Sequence, residues 1–132
     1  MRIVQPEGWP RPRGYANGVA AEGRFLFVAG QVGWNEKEQF ASDDLIEQVR
    51  QALKNTLAVL AAGGSRPEHI VRMTWYITDK REYLRRAPEL GAVYRELIGR
   101  HYPAMSMVQV SALMEDRAKV EIETTAVIPD GG

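Results

Sequence analysis

The sequence predicts an α+β domain in which one sheet of about five strands is covered on one face by two helices. Three observations predict it. Residues 101–113 and 118–128 are apolar runs that alternate with period two, as strands do. Residues 45–60 instead place Leu45, Ile46, Val49, Leu53, Leu57 and Leu60 on one stripe of a 3.6-residue helix. The segments follow one another as β-β-α-β-α-β-β, and each helix has a single apolar stripe, enough to cover one face of the sheet.

Taken in order, residues 1–13 form an extended N-terminal arm of a single domain spanning 1–132. Pro6, Pro10 and Pro12 remove backbone donors there and bias their predecessors away from helix. Residues 19–21 and 24–29 flank Glu22-Gly23 and read as a hairpin. The continuous run from Phe25 to Gly30 reads as a strand buried on both faces. Ser42 is the expected cap of the first helix, with Asp43 and Asp44 at the positive end of its dipole. Gly63-Gly64 ends it.

Residues 69–78 alternate Val71, Met73, Trp75 and Ile77 with Arg72, Thr74 and Tyr76, giving a third strand. Asp79 and Glu82 have the spacing of a capping box for a second helix. Pro88 kinks or restarts that helix, Leu90, Val93, Tyr94, Leu97 and Ile98 bury it, and Gly99 closes it. The last two strands read as a hairpin across Met114–Arg117. In the final one, Val120, Ile122, Thr124 and Ala126 make the core face; Lys119, Glu121, Glu123 and Thr125 point the other way. Met105, Met107 and Gln109 are expected on that second face, with Glu121, Glu123, Arg72 and Tyr76. So mixed a surface calls for cover by another subunit.

Composition removes several classes of function. Seventeen basic residues balance seventeen acidic ones, which gives no electrostatic drive toward nucleic acid or an anionic membrane. The absence of cysteine excludes disulfides, thiolate nucleophiles and thiolate metal sites. No phosphate loop, dinucleotide fingerprint or zinc spacing is present, so no cofactor or metal is expected. No apolar run is long enough for a signal or a membrane span, and a soluble cytoplasmic chain is the expectation. His69 and His101 lie apart at strand margins and are read as structural; Arg81, Arg85 and Arg86 are read as a solvated helix face. Glu121 and Glu123 are the best candidates for chemistry, since a carboxylate in a dry cleft can handle protons. Pairing with Lys119 or an arginine would make them merely structural.

Several segments together resemble the RidA/YjgF family, whose members are also called L-PSP endoribonucleases. They are G-Y-A-N-G at 14–18, F-V-A-G-Q at 27–31, L-A-A-G-G at 60–64, I-V-R-M-T-W-Y-I-T-D at 70–79, Y-P-A-M-S at 102–106 and K-V-E-I-E at 119–123. The resemblance implies a chorismate mutase-like fold with a single mixed sheet, a homotrimer with clefts between subunits, and cofactor-free hydrolysis of small 2-imino or enamine acids. It assigns Tyr15 and Glu121 as catalytic residues, with Glu121 activating water and Tyr15 orienting substrate. Gly30 would line the cleft with its backbone, beside Met105, Met107, Tyr76 and Gly91.

Two positions depart from the family pattern. Met105 stands where the deaminases carry an arginine that grips the substrate carboxylate, and Gly91 stands where the second helix usually has an asparagine. A thioether cannot form the bidentate ion pair of a guanidinium. The expected activity is therefore deamination of an atypical small imine or enamine, and small 2-imino acids are expected to be poor substrates unless Arg13 or Arg72 replaces the missing cation. A non-catalytic ligand-binding trimer is the alternative, and an L-PSP-type endoribonuclease ranks third.

Overall fold

A computed structural model of the chain describes residues 1–131. A short antiparallel pair, β1 (Arg2–Val4) and β2 (Gly18–Ala20), lies apart from the main sheet. That sheet contains β3 (Arg24–Val32), β4 (Ile70–Ile77), β5 (Ala104–Gln109) and β6 (Val120–Ile128), in the order β3-β6-β4-β5. β6 is antiparallel to both of its neighbours, whereas β4 and β5 run parallel, so the sheet is mixed. The helices are α1 (Leu45–Ala62), α2 (Lys80–Arg85) and α3 (Ala87–Leu97).

Both expected hairpins fail. Residues 18–20 pair with the N-terminal arm rather than with β3, which takes β6 as its partner. The last two strands do not pair either, because β4 lies between them. β5 is instead reached from β4 through two helices, the crossover that a parallel pair requires. The main sheet thus has four strands rather than about five. Alternation identified the strands, but pairing is set by partners distant in sequence.

The helices start where local chemistry places them. Asp44, not Ser42, caps α1, its side chain accepting from the Glu47 amide, while Ser42 Oγ accepts from the Asp44 amide. The left-handed residue beyond α1 is Gly64, with φ 76°. Asp79 caps α2 as its spacing predicts, and Pro88 restarts the chain as α3. Arg86 joins the three pieces, reaching Asp44 at 2.6 Å and Glu89 at 3.0 Å. Its hydrogen bonds hold both carboxyls below the usual carboxylate range.

The core lies between the helices and one face of the sheet. Leu53, Leu60, Ile70, Met73, Val120 and Ile122 are fully buried there. β3 is not buried on both faces: Val28 is sealed, whereas Phe25 and Phe27 are 60% and 72% exposed on a single chain. The two histidines hold backbone, His69 Nδ1 accepting from the Arg66 amide and His101 Nε2 lying 2.7 Å from the Ile70 carbonyl. No helix among the described residues is long and apolar enough to cross a membrane.

Candidate functional site

Strand register divides the expected site residues between the two faces of the sheet. Tyr76 pairs with Glu121 and Thr74 with Glu123, so these four share the face away from the helices. Met105 pairs with Met73 and Met107 with Trp75, both core residues beneath the helices. Met105 and Met107 therefore lie on the helical side, opposite Glu121, contrary to the expectation from the sequence. The physical reason is that β5 pairs with β4 in parallel, and this register, not a hairpin to β6, fixes its parity.

On the open face, Gly30 and Glu121 meet. β3 is irregular between Val28 and Gln31, a bulge that brings the Gly30 backbone against the Glu121 side chain. A Cβ built on Gly30 would collide with the Glu121 carboxylate, so a larger residue there would have to move that side chain from its present place. Lys119, the expected structural partner, pairs with Glu82 at 3.6 Å instead. Neither Glu121 nor Glu123 has a side-chain ion pair among the described residues. The carboxylate lies against the Gly30 backbone, and Tyr76 is the register neighbour of Glu121 on β4.

On the helical side, Met105, Met107 and Gly91 line one pocket of about 240 Å³ between α3 and the outer edge of β5. Four aromatic residues outside the site expected from the sequence also line it, Trp75, Tyr83, Tyr94 and Tyr102, together with Arg95 of α3. Tyr94 stacks on Tyr102 with centroids 5.5 Å apart, and its hydroxyl donates to the His101 carbonyl at 2.6 Å. Burial pushes the phenols of Tyr83 and Tyr94 up, so both are neutral at physiological pH. Their period along α2 and α3 was readable; their convergence with β5 was not.

Tyr15 belongs to neither group outright. It is 41% exposed, between Gly14, which lines the pocket, and Ala16, whose amide donates to the Pro103 carbonyl at 2.9 Å. This bond lays the segment along the free edge of β5. Arg72, one of the two suggested substitutes for the missing cation, pairs in register with Ala104 and Thr125 and so lies on the open face, away from Met105. Arg13 is exposed and does not line the pocket. Among the described residues, no cluster of His, Asp or Glu could hold a metal.

The fold and these positions can be compared with known proteins. Residues 10–128 match the family described as endoribonuclease L-PSP. The chain belongs to this family. It is the Rid/YjgF family to which the sequence motifs pointed, and its solved members share the architecture. The Rid-family protein YyfB of Yersinia pestis superposes with a TM-score of 0.85 at 31% identity, over 96% of this chain and 98% of that one. Escherichia coli TdcF with bound serine gives 0.69 at 30% identity, over 98% and 100%. A 2-iminobutanoate/2-iminopropanoate deaminase of Dermatophagoides farinae is 27% identical over 96% of each chain.

Proposed function

We propose that this Rid/YjgF-family protein is a hydrolytic deaminase of small imines or enamines, working in clefts between the subunits of a homotrimer. The observation that carries the reading is the approach of the Gly30 backbone to an unpaired Glu121 carboxylate beside Tyr76. A general base within reach of a water, with backbone polar groups beside it, is what attack on a C=N carbon needs.

In this reading Glu121 accepts a proton from water as the oxygen bonds to the carbon of a protonated imine. The resulting carbinolamine collapses, the C–N bond breaks, and the proton passes to nitrogen. Ammonia and a carbonyl compound leave. An enamine enters the same sequence after protonation at carbon. Tyr15 orients the substrate at the β5 edge. The substrate's side chain rests on Met105 and Met107, which favour a larger apolar group than those of the smallest imino acids. The deaminase name of the Dermatophagoides relative and the serine bound to TdcF support a small amino-acid-derived ligand.

One chain cannot bring Glu121 and Met105 to the same ligand, since the sheet separates them. A second copy, presenting one set across an interface from the other's, supplies the geometry. The exposed Phe25, Phe27 and Val108 on the open face are the surface such an interface would cover. The expected mass in solution is three times that of the 14.8 kDa chain. A monomer at micromolar concentration would end the cleft reading.

Enzymatic turnover is tested by generating imines in situ from a panel of amino acids and measuring ammonia release. The natural protein is expected to accelerate release and Glu121→Gln to abolish the acceleration. Ligand-induced thermal stabilisation without turnover would favour a binding trimer instead. The balanced charge gives RNA little electrostatic footing, and sub-micromolar binding to single-stranded RNA at physiological salt would revive the ribonuclease reading.

A further inference from the structure

We infer that the aromatic pocket binds the carboxylate of a small apolar or aromatic monoanion through the guanidinium of Arg95. This rests on the deaminase reading only for what happens to the ligand afterwards.

Arg95 is the one charged residue lining the pocket, whose remaining walls are aromatic, aliphatic or glycine. Its position on α3 leaves it without a partner. The residues three and four away are Ala92, Gly91, Ile98 and Gly99, none of them acidic. The two acids of α3 are engaged elsewhere, Glu89 with Arg86 at 3.0 Å and Glu96 with Arg50 at 2.6 Å. Among the described residues, no acidic side chain pairs with Arg95. An arginine with five donors, always charged and unopposed, fits a planar carboxylate.

Gly91 explains how the guanidinium reaches the pocket. A Cβ at that position would stand 3.2 Å from Arg95 Nη1, closer than ordinary packing allows. Because residue 91 has no side chain, Arg95 folds back along the helix over it, as side chains four residues apart do. A side chain at 91 would press on the guanidinium, which must give by at least a few tenths of an ångström.

A second donor lies unused. Trp75 lines the same pocket, and its indole Nε1 is buried without a hydrogen-bond partner. Buried donors are nearly always satisfied, and this one, itself sealed from solvent, would meet a ligand acceptor only where the pocket wall shifts to admit it. The methionine thioethers and the stacked Tyr94–Tyr102 pair offer the apolar body a soft, polarisable wall. The ligand class is thus a monocarboxylate with a side chain of about the size of a phenyl group.

The probes are 3-phenylpropionate and its uncharged isostere 3-phenylpropionamide, titrated calorimetrically into the assembled protein at low and high salt. The natural protein is expected to bind the acid at least about tenfold more tightly than the amide, a modest share of what a charge-assisted pair supplies. Arg95→Ala should erase that preference, and Arg95→Lys should keep part of it. Gly91→Asn, which leaves the arginine in the chain but crowds its guanidinium, should weaken acid binding as well. Equal binding of acid and amide, failure to bind either, or a preference that survives Arg95→Ala would each overturn the inference. Turnover separates it from the deaminase reading. Loss of acid preference in Arg95→Ala with no imine turnover by any variant would uphold the carboxylate site and sink the chemistry. Turnover with KM for acidic imines unchanged by Arg95→Ala would do the reverse.

Discussion

Along β4, Met73, Trp75 and Ile77 are sealed beneath the helices, while Arg72, Thr74 and Tyr76 alternate with them and face outward. The sealed face is complete within one chain, and its edge widens into a pocket rich in aromatic groups with one cation. The open face carries an unpaired carboxylate against a glycine bulge and two exposed phenylalanines. In the proposed reading, one face takes an apolar body and an anion and the other supplies the base. The difference teaches that the apolar work of folding and the proposed proton chemistry fall on opposite sides of a single sheet. The sheet keeps them apart within one chain, and in the proposed trimer a second copy would reunite them.

The sharpest test of that division compares two neighbours on β6. Ile122→Ala removes fully buried methylenes and is expected to cost about 2–5 kcal/mol in urea unfolding, because the rigid core cannot close the cavity. Glu121→Gln, one residue earlier, should change stability by less than about 0.5 kcal/mol, as a half-exposed near-isosteric change without lost partners. Its effect should instead appear in kcat/KM, lowered at least about a hundredfold. Comparable unfolding free energies for the two variants would break the comparison.

Position 105 sharpens it next. Met105→Arg restores the guanidinium of the family pattern and, in a pocket with no other cation, should raise kcat/KM for 2-imino acids by at least about tenfold. With Arg95 in the same pocket, a second guanidinium adds repulsion, and the gain in the natural background should fall below that figure. In an Arg95→Ala background, the same substitution should recover about tenfold, since the pocket then has no cation. Steady-state rates for the four proteins, with trimer mass checked for each, decide between these outcomes. A full tenfold gain in the natural background would mean that Arg95 does not serve the carboxylate.

The smallest effect is on acid stability, and it belongs to the helical layer. Asp44 caps α1 and is held below its ordinary value of 3.8, first by the hydrogen bond from Arg86. A carboxyl depressed in the folded state contributes stability that is fully present above its unfolded value. That contribution is lost as pH falls from about 3.8 through the lower folded value. Asp44→Ala is expected to cost about 1 kcal/mol at neutral pH, chiefly through the lost cap, given how exposed the ion pair is. Its melting temperature should also fall less steeply than that of the natural protein below pH 4. Parallel slopes for the two proteins would remove Asp44 from the acid response.

Much was determined by the sequence itself: the α1 stripe, the Asp79 cap, the restart at Pro88, the core face of β6 and membership of the Rid/YjgF family. These depend on residues a few positions apart, where helix and strand periods act directly. The tertiary structure alone decided which strands pair, and so on which face Met105 and Met107 lie, because a one-residue change of parity reverses a strand without altering its pattern. It also brought Arg95, Tyr94 and Trp75 to one wall, and Gly30 against Glu121. Such convergence depends on the packing angle of α3 and on a bulge in β3, both set by contacts between segments far apart in the chain.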